Sequence, residues 1–204
     1  DTSGFYYVDV KNYPVKNKKL PIGIFDSGTG GLTVMDAIVN YDGFNNQSKS
    51  INPDGILDFE KECFIYLADQ ANMPYGNYPS LGKTDVLKEH ILKDVQFLLS
   101  NKYYKSSSDK KFKIDKAPVK AIVIACNTAT AYGMDDIETF LKKAKLDIKV
   151  IGVINAGVKG AFENIAKDEN CSIAVMATEG TVLSNGYVNA INKYKSDFGY
   201  TGEI

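Results

Sequence analysis

A cysteine ends an apolar run in the segment AIVIACNTATA, residues 121–131. Cys126 is followed directly by Asn127 and Thr128, either of which can cap a helix that begins there. A thiol in that position lies beside free backbone N–H groups, which stabilise a thiolate. Lowering a cysteine pKa from about 8.5 to about 7 requires roughly 2 kcal/mol of such stabilisation. The sequence therefore predicts Cys126 to be an activated acid, base or nucleophile.

A second group of polar residues follows the run PIGIF in the segment FDSGTGG. Asp26 and Ser27 stand at the tip of this run, and three glycines come before the next helical pattern. Glycines allow a tight turn whose N–H groups face outward, and a helix N-terminus adds partial positive charge, so a small anion such as a carboxylate suits the place. The loop lacks the Gly-Lys-Ser/Thr of a phosphate loop and the third glycine of a dinucleotide loop. Taken alone, it is equally consistent with a plain strand-to-helix turn.

A third loop, ADQANMPYG, combines Asp69 with a stiff Pro74–Gly76 turn that carries Tyr75. The other candidate side chains are expected to be structural. Cys63 opens a strand and Cys171 precedes one, so both are predicted to be small buried apolar residues. His90 is predicted to be a surface or half-buried helix residue.

The elements that carry these residues alternate between strand and helix from Pro21 onward. Apolar runs predict five strands, namely PIGIF, CFIYLAD, VKAIVIAC, IKVIGVI and SIAVMAT. Helical spacing predicts five helices, namely GLTVMDAIVNY, LGKTDVLKEHILKDVQFLLS, ATAYGMDDIETFLKKAK, AGVKGAFENIAKD and GTVLSNGYVNAINKY. This alternation predicts an α/β fold, with a parallel sheet covered by helices on both faces. Such sheets bind ligands at the carboxyl ends of their strands, which is where the polar residues lie.

Three polar segments lie outside this alternation. Residues 1–20 are predicted to be a surface arm, and residues 42–62 and 101–118 to be solvated insertions. The last of these has six lysines, but acidic residues are interspersed and the net charge of the chain is −1, which argues against nucleic acid as a partner.

The amino-acid composition narrows the classes of protein to which the chain could belong. The 204 residues are 44% hydrophobic, enough for one sizeable core or two small ones, and no apolar run approaches the roughly 20 residues of a membrane span. Three cysteines and one histidine, without metal-type spacing, argue against a disulfide framework and a zinc site. The chain starts at Asp1 rather than Met, which leaves a removed export signal open.

Several segments resemble the glutamate racemases of the aspartate/glutamate racemase superfamily. IGIFDSGTGGLTV, PYG and IACNTATA occur in the family's order, and IGVINAG and ATEGTVLSNGY extend the resemblance over about residues 21–190. The resemblance implies two similar α/β domains and inversion of the glutamate α-carbon without a cofactor or metal. Two cysteines would flank the substrate, one removing the α-proton and the other returning a proton to the opposite face. A cytoplasmic location, a role in cell-wall synthesis and a homodimer would also fit the family.

The resemblance assigns roles to individual positions. Cys126 would be one of the two acid/base thiols, with Asp26 as a polar partner beside it. Substrate contacts would come from Asp26, Ser27, Tyr75, Gly76, Asn127 and Thr128. Glu179 lies where the family often has an acidic residue that serves the other half-site. The substrate would be L- or D-glutamate, with aspartate as a serious competitor.

The sequence departs from the family at the second cysteine. The expected Gly-Cys-Thr-His-like motif is absent, and Cys171 precedes a predicted strand, away from the carboxyl edge. Residues 21–147 would then be the first α/β domain and residues 148–204 the truncated start of the second. Three interpretations follow: a fragment of a longer racemase, a binding or regulatory module that retains one half-site, or a lone Cys126 in a different reaction such as hydrolysis or elimination. Intact motifs at the strand ends favour the fragment.

Overall fold

The computed structural model describes residues 2–204, which form a parallel four-stranded sheet with helices packed around it. The strands are β1 (Ile22–Asp26), β2 (Phe64–Ala68), β3 (Ala121–Ile124) and β4 (Lys149–Gly152), in the order β2-β1-β3-β4. The helices are α1 (Gly31–Val39), α2 (Asn77–Ser80), α3 (Thr84–Leu99), α4 (Asn127–Ala144), α5 (Val153–Phe162), α6 (Glu179–Leu183) and α7 (Gly186–Phe198). A short 3₁₀-helix spans Gln70–Asn72. The predicted α/β class with a parallel sheet is confirmed.

The central strand β1 is buried on both faces. Successive side chains of a strand point to opposite faces, and both Ile24 and Phe25 are fully buried, so helices cover each side. The ladder continues past the strand ends, where the Asp69 amide donates to the Asp26 carbonyl at 2.9 Å and the Ala125 amide to the Phe25 carbonyl at 2.7 Å. The tips of β1, β2 and β3 therefore lie side by side at one edge of the sheet.

Helices α3 and α4 form the main helical layer of the core. The buried residues Leu87, Ile91, Val95 and Leu98 recur at helical spacing along α3, as predicted for an amphipathic helix. Gly133 of α4 allows the two helices to approach closely, because a Cβ there would lie 2.5 Å from Ile91 Cγ2. This packing fixes the position of α4, whose N-terminus carries Cys126.

The segment predicted to be a surface arm is anchored in the core at a few positions, although most of its described residues, 2–20, are exposed. Val8 and Tyr13 of this segment belong to the main core cluster, and the Tyr13 hydroxyl donates to the Val119 carbonyl at 2.6 Å. These anchors could not be predicted, because the apolar residues of the arm are isolated and follow neither helical nor strand spacing.

The insertion of residues 101–118 also packs more closely than predicted. Lys102 is only 6% exposed, and its ammonium donates to the Thr2 and Gly4 carbonyls of the arm. Phe5 of the arm lies against Phe112 of the insertion, with ring centroids 5.9 Å apart. The arm and the insertion thus stabilise each other.

The predicted strand SIAVMAT does not form. Residues 171–178 have no regular secondary structure, and Met176 is 98% exposed. A strand needs a neighbour to pair its N–H and C=O groups, and none of the four described strands pairs with this segment. The segment therefore has the apolar pattern of a strand but no partner strand among residues 2–204.

Helices α5 and α7 enclose a second, smaller core. Ile154, Val158 and Phe162 form its centre, and the Phe162 ring lies 4.8 Å from the Tyr194 ring and 4.6 Å from the Tyr200 ring. Strand β4, in contrast, pairs with β3 in the main sheet. The sheet thus crosses the boundary predicted between residues 147 and 148, because β4 finds its hydrogen-bond partner in β3.

The two cysteines expected to be buried are not. Cys63 is exposed and Cys171 is half-buried, because Cys63 precedes the first residue of β2 and Cys171 lies in the irregular segment. His90 is half-buried as expected and packs edge-on against the Tyr78 ring.

Candidate active site

A cavity of about 460 Å³ lies at the carboxyl edge of the sheet, within the size range of small-molecule sites. Seven of the eight residues proposed from the sequence line it: Asp26, Ser27, Tyr75, Gly76, Cys126, Asn127 and Thr128. The eighth, Glu179, is exposed at the start of α6 and is not among the lining residues. The parallel sheet brings the strand-end residues together, as the topology predicts.

Cys126 is the N-cap residue of α4 and is one of the residues that line the cavity. The Ala129 amide donates to Cys126 Sγ at 3.4 Å, so the sulfur itself caps the helix. The Ser27 hydroxyl lies 3.4 Å from the same sulfur. Only 8% of the residue is exposed, so the reactive atom is largely shielded from water.

The expected lowering of the Cys126 pKa is contradicted by this burial. Removal from water disfavours the thiolate and raises the pKa of Cys126 above its ordinary value. Hydrogen bonds from Ser27 and Ala129 act in the opposite direction, and the nearby Asp26 charge raises the pKa further. Helix capping is therefore insufficient to make this thiol acidic by itself.

Asp26 is fixed by the turn that leads into α1. Its Oδ2 accepts a hydrogen bond of 2.8 Å from the Gly31 amide, the first residue of that helix. A Cβ at Gly31 would lie 2.9 Å from Asp26 Cβ and 2.8 Å from Ala125 Cβ, so only glycine fits without rearrangement. The carboxylate is thus held at the cavity wall by backbone geometry.

Tyr66 supports the same turn and was missed by the sequence analysis. Its hydroxyl donates to the Gly28 carbonyl at 3.1 Å and lies 3.5 Å from Asp26 Oδ2. Burial, together with the Asp26 charge, raises the pKa of Tyr66 to about 12, so the phenol stays protonated as a donor. Its place in β2, directly beside Ile24 of β1, is a register relation that one strand's sequence does not reveal.

Two threonines from the C-terminal part of the chain complete the wall and were also missed. Thr181 Oγ1 lies 3.1 Å from both Thr128 Oγ1 and Thr178 Oγ1. Thr178 caps α6, because its side chain accepts from the Thr181 amide. A Thr-x-x-Thr spacing at a helix start was the available signal.

Close backbone packing holds these threonines over the cavity. A Cβ on Gly180 would lie 2.7 Å from the Gly76 carbonyl oxygen, so α6 rests directly on the Pro74–Gly76 turn. The Tyr132 hydroxyl of α4 donates to the Gly180 carbonyl at 3.0 Å and secures the other side.

Two of the proposed substrate contacts already have partners for their side chains. Asn127 Oδ1 accepts a 2.9 Å hydrogen bond from the Tyr187 hydroxyl. The Tyr75 hydroxyl is directed at the carboxyl groups of Asp69 and Asp94, and the residue is only 2% exposed. What Tyr75 offers to the cavity is therefore its backbone and ring rather than its hydroxyl.

The cavity combines one carboxylate with several helix N-termini. Among the described residues that line it, Asp26 is the single carboxylate and no lysine or arginine is present. Helices α1, α4 and α5 all begin at lining residues, namely Gly31, Asn127 and Val153. The α1 N-terminus already holds the Asp26 carboxylate through the Gly31 amide, whereas the N–H groups and helix dipoles at the starts of α4 and α5 favour further anions without a cationic side chain.

The fold and this site together define an α/β protein whose small-molecule cavity presents a thiol at the carboxyl edge of a parallel sheet. The resemblance to glutamate racemases is confirmed by comparison with known proteins. The chain is 33% identical to the glutamate racemase of Oceanobacillus iheyensis over 181 residues, 89% of this chain and 50% of the relative. It is 33% identical to the glutamate racemase of Aquifex pyrophilus over 178 residues, 87% of this chain and 52% of the relative.

Solved structures give the same result. Glutamate racemase isoform RacE1 from Bacillus anthracis matches with a TM-score of 0.60 and 28% identity, over 92% of this chain and 53% of that one. Glutamate racemase from Thermus thermophilus, solved with β-chloro-D-alanine, matches with a TM-score of 0.53 and 26% identity, over 85% of this chain and 49% of that one. No protein-family model matches the chain. The chain thus spans about half the length of the relatives it matches.

Two observations on residues 2–204 concern metals and membranes. Within this range, no three or more His, Cys, Asp or Glu side chains are grouped so that they could hold a metal ion. None of the helices formed by these residues combines the length and apolar character needed to cross a membrane.

Proposed function

We propose that this chain forms one half of a cofactor-independent amino-acid racemase in which Cys126 exchanges the α-proton of glutamate. The observation that carries the proposal is the placement of Cys126 Sγ. The residue lines the cavity and its sulfur lies 3.4 Å from the Ser27 hydroxyl, and the chain that holds it is similar to glutamate racemases over most of its length. Asp26 would act beside the thiol as a polar partner.

The chemistry suits a thiol and backbone donors. Cys126 must first lose its own proton to solvent, which leaves the thiolate as the base. As the α-C–H bond then breaks, its proton forms the S–H bond of Cys126 and its electron pair moves toward the α-carboxylate. N–H groups at the starts of α4 and α5 lie where they can stabilise this growing charge. The raised pKa of Cys126 is compatible with this role, because a bound substrate ammonium would favour the thiolate.

The substrate class follows from the charges of the cavity. One carboxylate, Asp26, would bind an α-ammonium group, and the N-termini of α4 and α5 would bind the two carboxylates. This distribution favours an acidic amino acid over a basic or apolar one. We place glutamate first, because the relatives are named glutamate racemases, and aspartate second.

Inversion requires a second acid/base group on the opposite face of the α-carbon. Among the described residues that line the cavity, Cys126 is the single cysteine. We therefore propose that the second group comes from outside residues 2–204, in keeping with a match to about half of each relative.

The same observation favours one alternative, a module that binds an acidic amino acid without turning it over. A site with one thiol and several anion-binding N–H groups suffices for binding. The two functions differ in whether the α-hydrogen exchanges with solvent.

Exchange in D₂O separates them. The 204-residue chain is incubated with L- or D-glutamate, and then with L- or D-aspartate, while loss of the α-¹H signal is followed by NMR and configuration by chiral chromatography. We expect one enantiomer of glutamate to exchange with retention of configuration, and Cys126→Ala to abolish this exchange. Cys63→Ala is the matched control, because that thiol is exposed and is not among the residues lining the cavity. Saturable binding without exchange would favour the binding module, and unchanged exchange in Cys126→Ala would refute the role of Cys126.

A further inference from the structure

A cluster of acidic groups lies behind the cavity wall, away from the proposed chemistry. The Tyr75 hydroxyl oxygen lies 2.6 Å from Asp69 Oδ2 and 2.8 Å from Asp94 Oδ2. Asp69 directly follows β2, whereas Asp94 lies on α3, so the phenol joins two separate elements. Tyr75 is also part of the Pro74–Gly76 turn that lines the cavity.

Counting hydrogens shows that this cluster needs an extra proton. A phenol has one hydrogen, and an ionised carboxylate has none. With both carboxyls ionised, only one of the two short contacts to Tyr75 is a hydrogen bond, and the other places two oxygen acceptors against each other. Protonation of one carboxyl resolves this conflict.

Asp94 is the carboxyl that should hold the proton. Both oxygens of Asp69 also accept from Asn72 Nδ2, each at 2.9 Å, so Asp69 serves as the acceptor of the cluster. Burial, and then the charge of Asp69, raise the pKa of Asp94 to about 8. Neither carboxyl forms an ion pair with a cationic side chain of residues 2–204.

A titratable group from the arm also faces this cluster. The Tyr6 phenol is close enough that the charges of Asp94 and Asp69 act to raise its pKa, although burial is the larger cause. Lys93 lies over the Tyr6 ring, 5.7 Å from its centroid, and acts on the pKa of Tyr6 in the opposite direction. On the other side, the Tyr78 ring packs edge-on against Tyr75, and His90, four residues before Asp94 on α3, packs edge-on against Tyr78.

We propose that Asp94 is a positioning residue that, in its protonated form, fixes Tyr75 and thereby holds the cavity wall in place. Tyr75 is joined directly to Gly76, on which Gly180 and the threonines of α6 rest. Ionisation of Asp94 adds a second negative charge beside Asp69 and removes the hydrogen that satisfies the contact with Tyr75. The turn then shifts and the packing of Gly76 against Gly180 loosens. The consequence for turnover rests on the proposed racemase function, but the protonation of Asp94 and its hold on Tyr75 do not.

Asp94→Asn provides the test, because the amide keeps a donor and cannot ionise. In wild type the folded state holds a proton that the unfolded chain, with an aspartate pKa of about 3.9, has lost. From about pH 5 to about pH 8 we therefore expect the wild-type folding equilibrium constant, relative to Asp94→Asn, to fall by about tenfold per pH unit. Above the folded-state pKa the ratio should level off. Urea unfolding of both proteins across this range measures it, and a ratio that stays constant or rises with pH would overturn the proposal.

Two further measurements do not depend on unfolding. In wild type, carboxyl ¹³C NMR should show one aspartate still protonated at pH 7; complete ionisation at that pH would refute the proposal even if Asp94→Asn fails to fold. The rate at which iodoacetamide alkylates Cys126 reports how accessible the cavity is. The pH dependence of thiolate formation largely cancels when the wild-type rate is divided by the Asp94→Asn rate. We expect that ratio to be near unity at pH 6 and to rise several-fold by pH 9.5, and a flat ratio would contradict a positioning role. If the proposed racemase function is wrong but Asp94 is a positioning residue, α-proton exchange will be absent. The unfolding, NMR and alkylation results will still be as expected.

Discussion

Replacing Gly180 by alanine tests the packing of α6 against the cavity wall. The added Cβ would lie 2.7 Å from the Gly76 carbonyl oxygen and 3.1 Å from Gly76 Cα. Both are backbone atoms, and the buried, hydrogen-bonded Tyr75 next to them restricts their movement. Relief of the clash must therefore come from displacement of α6 itself.

The expected change in the free energy of unfolding follows from comparison with a glycine that has room for a side chain. Gly157 of α5 has no atom within 4 Å of an added Cβ, so Gly157→Ala should gain only the helix preference of alanine, about 1 kcal/mol. Gly180→Ala gains at most the same preference but incurs an overpacking cost of about 1–3 kcal/mol. The free energies of unfolding of the two variants should therefore differ by about 1–3 kcal/mol, with Gly180→Ala the less stable.

Urea denaturation at a single pH measures this difference, and glutamate binding to each folded variant reports the cavity. We expect weaker binding in Gly180→Ala, because Thr178 and Thr181 move with α6, and unchanged binding in Gly157→Ala. Equal stabilisation by the two substitutions would show that α6 does not rest on Gly76, and the description of the cavity wall would then be wrong.

Three further predictions concern the cores and the thiol. Phe162 is fully buried against Tyr194 and Tyr200, so Phe162→Ala should destabilise the smaller core by about 3–5 kcal/mol. The amides of α5 and α7 should then exchange with solvent before those of α3. Simultaneous hydrogen exchange in all helices would contradict a separate core. Tyr13→Phe leaves the Val119 carbonyl without its 2.6 Å donor and should cost about 1–3 kcal/mol in urea unfolding, whereas no loss would show that the arm is dispensable. The alkylation rate of Cys126 should rise with pH, and its midpoint should lie above the ordinary cysteine pKa of about 8.5, since burial favours the neutral thiol. Ser27→Ala should move this midpoint higher, because it removes a hydrogen bond to the sulfur. A midpoint below the ordinary pKa would show that burial does not dominate.

The sequence predicts best what depends on local patterns and on the general geometry of parallel sheets. Apolar runs separated by helical spacing are sufficient to place β1 to β4 and the amphipathic α3. Because parallel strands end at one edge, the polar residues after β1 and β3 had to meet, and Ser27 and Cys126 do lie 3.4 Å apart. Their positions were therefore predictable, although their roles in catalysis stay proposals.

Long-range packing accounts for what the sequence did not reveal. Thr178 and Thr181 reach the cavity because Gly180 fits against Gly76, a contact between residues about a hundred positions apart. The direction of the Cys126 pKa shift depends on how much water the surrounding elements exclude, which a capping pattern does not report. The segment SIAVMAT has the composition of a strand, but a strand also requires a partner beside it.

Irregular segments outside the helices and strands often tolerate trimming, whereas Thr2 and Gly4 serve as acceptors for an interior cation. The carbonyls of Thr2 and Gly4 receive the ammonium of Lys102, which the rest of the fold shields from water. Deleting these few residues would leave a positive charge inside the protein without its oxygen partners, a state that proteins avoid. A variant that lacks residues 2–4 should therefore have a lower free energy of unfolding than the 204-residue chain.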